Sequence, residues 1–176
     1  VFMSSTPYQD IRVADENGVR TMYLDGHPQS AMYLDNRSGY VFDYTRYFHI
    51  PFLLGDVDTA LFIGGGGFSG PKRFAALNVS VDAVELDPGV IRAAKTYFDV
   101  APSRSLRIHE DDGRRFVRSS NAVYDVVVLD AYRKSSVPFH LTTTEFMELV
   151  HDRLDEDGVV VSNVISTASG SGSGLA

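Results

Sequence analysis

Cysteine is absent from the 176 residues. That excludes disulfide cross-links and thiolate metal sites, and it leaves the compartment open. Basic residues are in the minority. Against 23 Asp and Glu there are 16 Lys and Arg, and the formal net charge of −7 disfavours a nucleic-acid partner. No apolar run approaches the roughly 18 residues that a membrane helix needs, and no signal peptide is visible. The five histidines show neither HExxH nor paired spacing, so no metal is expected. Internal repeats are also missing. These absences lead to the expectation of a soluble, cytoplasmic protein with no membrane segment in this chain. A hydrophobic fraction of 44% is enough for the core of one domain with a small appendage.

The stretch from Thr59 to Asp87 organises the rest. Thr59 to Ile63 has the pattern of a fully buried strand, and Gly64 to Gly67 follow it at once. Pro71 suits the first turn of a helix whose apolar side is Phe74, Ala75 and Leu77. Val81 to Leu86 is a second strand, with Glu85 near its carboxyl end. Strand, glycine turn, helix, strand and terminal acid describe a βαβ nucleoside-binding unit. Glycines without Cβ atoms let a ligand approach the backbone, the helix N-terminus offers N–H groups, and Glu85 can accept hydrogen bonds from both ribose hydroxyls.

Upstream, Ile11 and Val13 alternate with polar residues. Asn17-Gly18 signals a hairpin into Val19 to Leu24, and Asp25-Gly26 turns toward a third strand over Ser30 to Leu34. Tyr40, Tyr44, Tyr47 and Phe48 recur at helical spacing and read as core. Downstream, Asp87-Pro88 starts a helix through Phe98, Leu106 to Ile108 is a short strand, and Arg114 to Arg118 a short helix with a solvated face. Tyr124 to Leu129 is a parallel-type strand closed by Asp130. Thr142 to Leu154 is helical, and Asp157-Gly158 turns into a last strand over Val159 to Val164. The pattern predicts an α/β fold with a mostly parallel Rossmann-like sheet and a small N-terminal antiparallel β-segment. The boundaries are 1–38 for that segment, 39–165 for the nucleoside-binding domain and 166–176 for a flexible Ser/Gly-rich tail. The chain ends where a doubly wound domain normally continues, so a fragment is one expectation. Glu85, Asp112 and Asp130 all fall at carboxyl ends of strands, where such sheets bind ligands. His140, shortly after Asp130, either lines a substrate entrance or caps the next helix.

From Tyr8 to about Ile165 the sequence resembles the polyamine aminopropyltransferase family, the spermidine synthases and their homologues. Tyr8-Gln9-Asp10-Ile11 resembles its opening YQ-x-I, and Leu24-Asp25-Gly26 with Gln29 its LDG-x-x-Q turn. Ile63 to Gly66 resemble its IGGG loop, Val84 to Asp87 its V-E-x-D strand end, and Asp112-Gly113 its DG. The resemblance implies a methyltransferase-like Rossmann sheet behind a β-stranded N-terminal segment, usually as a homodimer. It implies aminopropyl transfer from decarboxylated S-adenosylmethionine to a small-molecule amine such as putrescine. Gly64, Gly65 and Gly66 would cradle that co-substrate and Gln9 its propyl-sulfonium end. Glu85 would take the ribose, and Asp112 with Gly113 the adenine amine. Asp130 would face the attacking amine as the catalytic residue, with Gln29 and Tyr132 on the substrate side.

Three departures stand out. Gly67 replaces the family aspartate that grips the co-substrate amine, and Arg133 stands where the family has a second acid. A tyrosine-glutamine pair after LDG-x-x-Q is missing, with Tyr40-Val41 or Tyr44-Thr45 the nearest candidates. A methyltransferase using intact S-adenosylmethionine is therefore one alternative, and a non-catalytic homologue binding an adenosyl ligand such as methylthioadenosine is another. A nicotinamide enzyme is a weaker one, because Gly65-x-Gly67-x-x-Gly70 also fits G-x-G-x-x-G.

Overall fold

The computed structural model describes residues 1–37, 39–132 and 137–164. Arg133 and the tail expected over 166–176 lie outside the described residues. Four strands form an antiparallel meander: β1 (Phe2–Ser5), β2 (Asp10–Glu16), β3 (Val19–Leu24) and β4 (His27–Tyr33), in the order β1-β2-β3-β4. Both expected hairpins form. Asn17 and Gly18 have φ of 51° and 77°, Asp25 and Gly26 of 50° and 82°, the left-handed pairs that a tight two-residue turn demands. β1 has no counterpart in the sequence reading, because four residues with two exposed side chains carry no periodic signal.

The second sheet holds β5 (Thr59–Ile63), β6 (Ser80–Glu85), β7 (Leu106–Glu110), β8 (Tyr124–Leu129) and β9 (Leu154–Ser162). Its order is β7-β6-β5-β8-β9, every pairing is parallel, and the direction of winding reverses between β5 and β8. Helices α1 (Ser69–Ala76), α2 (Pro88–Tyr97), α3 (Gly113–Ser119) and α4 (Thr144–His151) cover the two faces. The alternation of β5 accounts for both layers. Ala60 and Phe62 join a cluster with Phe74, Val90, Ala94 and Phe98, while Leu61 and Ile63 join another with Val117, Phe146 and Val150. The fold is the expected α/β, Rossmann-like one.

Two local expectations are corrected. The aromatic stretch forms a 3₁₀ helix over Asp43–Leu53, burying Thr45, Phe48 and Pro51. A spacing of three matches three residues per turn, so Phe48 is buried and Tyr47 faces solvent, while Tyr44 packs edge-on against Phe48 with its hydroxyl toward Asp130. The helix expected through Leu154 ends at His151, and Leu154 opens β9. Tyr124 pairs with Leu154 and Val126 with Val159, so Asp157-Gly158 is a bulge inside the strand.

Candidate active site

All five parallel strands deliver a residue to one edge of the sheet: Gly64, Glu85, Asp112, Asp130 and Asn163. The ladder itself sets their positions. Gly64 N–H donates to Val84 O (2.9 Å), Asp130 N–H to Ile63 O (2.9 Å) and Asn163 N–H to Leu129 O (3.0 Å), so each loop leaves the sheet in register. A cleft of about 550 Å³ opens there, within the ordinary size range for small-molecule sites. Every site residue expected from the sequence lines it: Gln9, Gln29, Gly64, Gly65, Gly66, Glu85, Asp112, Gly113, Asp130 and Tyr132.

The glycines are required by contact. A Cβ on Gly64, whose φ is 101°, would lie 2.3 Å from the Asp130 carbonyl oxygen, and one on Gly113 would lie 2.5 Å from Ile63. The loop's N–H groups turn to a side chain of the neighbouring strand. Gly65 N–H (2.9 Å) and Gly66 N–H (3.2 Å) donate to Glu85 Oε2, and Asp87 N–H donates to Oε1 (2.9 Å). The loop thus holds the Glu85 carboxylate. Burial pushes the Glu85 pKa up, and those backbone donors pull against the rise. Gly67 is buried behind the cleft wall, where its N–H donates to Ser30 Oγ (2.8 Å). Phe68 follows at φ 54°, a left-handed conformation uncommon for a bulky residue, with its ring beneath Gly65.

Asp130 occupies the opposite wall. Its Oδ1 accepts from Asn163 Nδ2 (2.9 Å), and Tyr44 Oη donates to Oδ2 at 3.5 Å. Burial raises the Asp130 pKa to about 6 against the pull of those two hydrogen bonds. The Tyr44 hydroxyl is driven upward too, by burial and then by the adjoining carboxylate. Tyr132 Oη donates to the Asn163 carbonyl (2.6 Å). Asp112 has two tasks, since Oδ1 caps α3 through Arg115 N–H (2.9 Å) and Oδ2 meets His140 Nε2 at 2.9 Å. Arg114, read from sequence as a solvated face, instead donates to His140 O and Thr143 Oγ1, both at 2.9 Å. On the near side, Asp87 joins the two sheets. It caps α2 through Gly89 N–H (2.7 Å) and accepts from Thr6 Oγ1 (2.7 Å) and Gln9 Nε2 (3.1 Å).

Tyr44, Asp87 and Asn163 were not among the expected site residues. Asn163 was within reach, because it ends a strand as Asp130 does, but the last strand was carried one residue past it. The cleft's charge is one-signed. Asp43, Glu85, Asp87, Asp112 and Asp130 line it, and no Lys or Arg does among the described residues. No group of three or more His, Asp or Glu is placed to hold a metal ion, and no helix is long and apolar enough to cross a membrane, again among the described residues.

Comparison with known proteins agrees with this geometry. The family described as spermine/spermidine synthase domain matches residues 44–167. A polyamine aminopropyltransferase of Vibrio vulnificus is 37% identical over 113 residues, covering 61% of this chain and 38% of that protein. A spermidine synthase solved with the transition state analogue AdoDATO aligns over 92% of this chain and 57% of its own, with 25% identity and a TM-score of 0.74. The spermidine synthase of Thermotoga maritima covers 92% and 55%, at 24% identity and a TM-score of 0.73, and shows the fold. In each pair the chain spans less than two thirds of its counterpart's length.

Proposed function

Since the chain belongs to the spermine/spermidine synthase domain family, we propose that its cleft carries out aminopropyl transfer from decarboxylated S-adenosylmethionine to a small amine. The observation that carries this reading is the lining of five carboxylates without a Lys or Arg among the described residues. Both reactants are cations, and such walls concentrate cations. The co-substrate supplies a sulfonium-activated propyl carbon. The amine lone pair forms the new C–N bond as the C–S bond breaks, and methylthioadenosine leaves with the electron pair on sulfur. The proton shed by the amine goes to Asp130, which is ionised at neutral pH with a pKa of about 6. A base so placed contributes about 10²–10⁴-fold, and alignment of amine and carbon contributes further. Glu85, with three backbone donors fixing its oxygens, is positioned for the ribose, and Asp112 with Gly113 for the adenine.

The same lining weighs against the alternatives. Intact S-adenosylmethionine brings a carboxylate, for which the described cleft holds no cation. Nor does Gly67 open room for it, since that residue lies behind the wall with its N–H bound to Ser30. A nicotinamide dinucleotide needs loop N–H groups for its pyrophosphate, and those of Gly65 and Gly66 are taken by Glu85. The resemblance also suggests a homodimer, which light scattering would test.

Calorimetric titration with decarboxylated S-adenosylmethionine, the intact form and methylthioadenosine, followed by product analysis with putrescine, tests the function. Preference for the decarboxylated ligand with formation of an aminopropylated amine is expected. Preference for the intact ligand would replace this reading with methyl transfer, and tight binding without product from any amine would replace it with a non-catalytic role.

A further inference from the structure

We propose that the acceptor is a monoamine with an apolar body, and that Phe42 helps select it over a diamine. The inference rests on the aminopropyl-transfer reading above and names the acceptor class that the same site takes.

Most acids of the cleft are committed elsewhere. Glu85 accepts from three backbone N–H groups, Asp87 from Thr6, Gln9 and the first turn of α2, and Asp112 from Arg115 with His140 at its other oxygen. These three stand on the side given to the nucleoside, and Asp130 faces the reacting amine. Asp43 is the remaining acid of the lining. Its side chain is 84% exposed and pairs with Arg46 across one turn at 3.3 Å. An ammonium drawn there stays in water and competes with a guanidinium, and such exposed pairs contribute little. The residues outside the described ones include no Asp or Glu, so every acid of this chain has been placed.

The wall that leads away from Asp130 is aromatic. Tyr44 directs its hydroxyl at Asp130 Oδ2, and the rings of Tyr44 and Phe42 stack with centroids 6.2 Å and planes 21° apart. Together they make one face that begins at the carboxylate, and Val41 and Pro138 line the same cleft. Phe42 is half-buried and belongs to neither buried cluster, so its ring is held at the cleft without serving the core. The polar groups beside Asp130 are engaged, Asn163 Nδ2 with the carboxylate and Tyr132 Oη with the Asn163 carbonyl.

The acids of the cleft attract any ammonium. What the far end of the acceptor meets decides which amine reacts. A methyl-ended chain leaves water against the rings and gains by that burial. A second ammonium gives up its water with no acid to receive it. An aromatic face returns only part of that cost to so strongly hydrated a group. The bonds are those of the proposed transfer: the amine nitrogen bonds the propyl carbon, the carbon–sulfur bond breaks, and the shed proton goes to Asp130.

The test is steady-state transfer by the full chain from decarboxylated S-adenosylmethionine to n-pentylamine and to putrescine, which match in length and differ in a terminal methyl against an ammonium. The ratio of kcat/KM is expected to favour pentylamine by roughly tenfold or more. Phe42→Ala should lower kcat/KM for pentylamine by roughly three- to tenfold, the burial of one or two methylenes, with putrescine unchanged and co-substrate affinity kept. If that variant fails to fold, the comparison of the two amines on the parent still decides. Equal use of both amines, or a preference for putrescine, would overturn the inference, and loss of that preference in Asp43→Asn would put the second ammonium at Asp43 instead. Equal loss of both amines in Phe42→Ala would overturn the role of Phe42. Transfer to neither amine would overturn the aminopropyl-transfer reading itself, so the two failures are told apart.

Discussion

Asp130 is a buried acid whose ionised form, the one the proposed reaction uses, costs stability. In the unfolded chain its pKa is that of an ordinary Asp, about 3.9, and in the fold it is about 6. The folded state thus binds the proton more tightly, and the stability this gives is present at low pH and lost as pH rises from about 4 to about 6, by at most about 3 kcal/mol. Asp130→Asn, which cannot ionise, should melt a few degrees above the parent at pH 8 and level with it at pH 4, while transfer falls by about 10²–10⁴-fold with nucleoside affinity kept. Loss of both activities together would give Asp130 a structural role instead. Tyr44→Phe removes a hydrogen bond that favours the ionised carboxylate. The acid limb of the pH–rate profile should then move above about 6, and an unmoved limb would exclude the contact. At this scale the acids and glycines were legible because strand ends and Gly runs leave marks in a sequence. Tyr44 was not, since an aromatic among aromatics reads as core until the 3₁₀ turn points it at Asp130.

Among the described elements, β6 carries an acid buried in the sheet away from the cleft. Asp82 accepts from Arg107 Nε (2.7 Å) and Nη2 (2.8 Å), and from Tyr124 Oη (3.0 Å), with His109 Nε2 at 2.6 Å. Burial raises its pKa, but these partners outweigh burial and hold the carboxyl below its usual value. Its contribution is therefore present above the ordinary Asp range and lost as pH falls through that lowered value. Asp82→Asn should cost about 3 kcal/mol near pH 7, measured by urea denaturation, and the gap should close in strong acid. Equal midpoints at pH 7 would refute it. Short-range chemistry made the hairpins and the α2 start readable: Asn17-Gly18, Asp25-Gly26 and Asp87-Pro88 each act within a few residues. The bulge at 155–158 was not, because it is set by pairing with β8, some thirty residues upstream.

Over the whole molecule the two sheets share a core. Ile11, Val13 and Met22 of the meander lie in one cluster with Val90, Ala94 and Phe98 of α2, and Asp87 ties Thr6 and Gln9 to the same helix. Thermal unfolding followed by far-ultraviolet dichroism and by tyrosine fluorescence should trace one coincident transition. Two separated midpoints would show the meander to be an independent unit. The sequence division at residue 38 marks a change of strand pattern, and long-range packing across it could not be read from pattern alone.

The lining of one sign has a consequence for turnover. In the proposed reaction the sulfur arrives bearing positive charge and departs as an uncharged thioether, while the lengthened amine takes the propyl chain's ammonium with it. The walls that draw fresh co-substrate inward therefore lose their charge attraction for the nucleoside remnant and keep it for the cationic product.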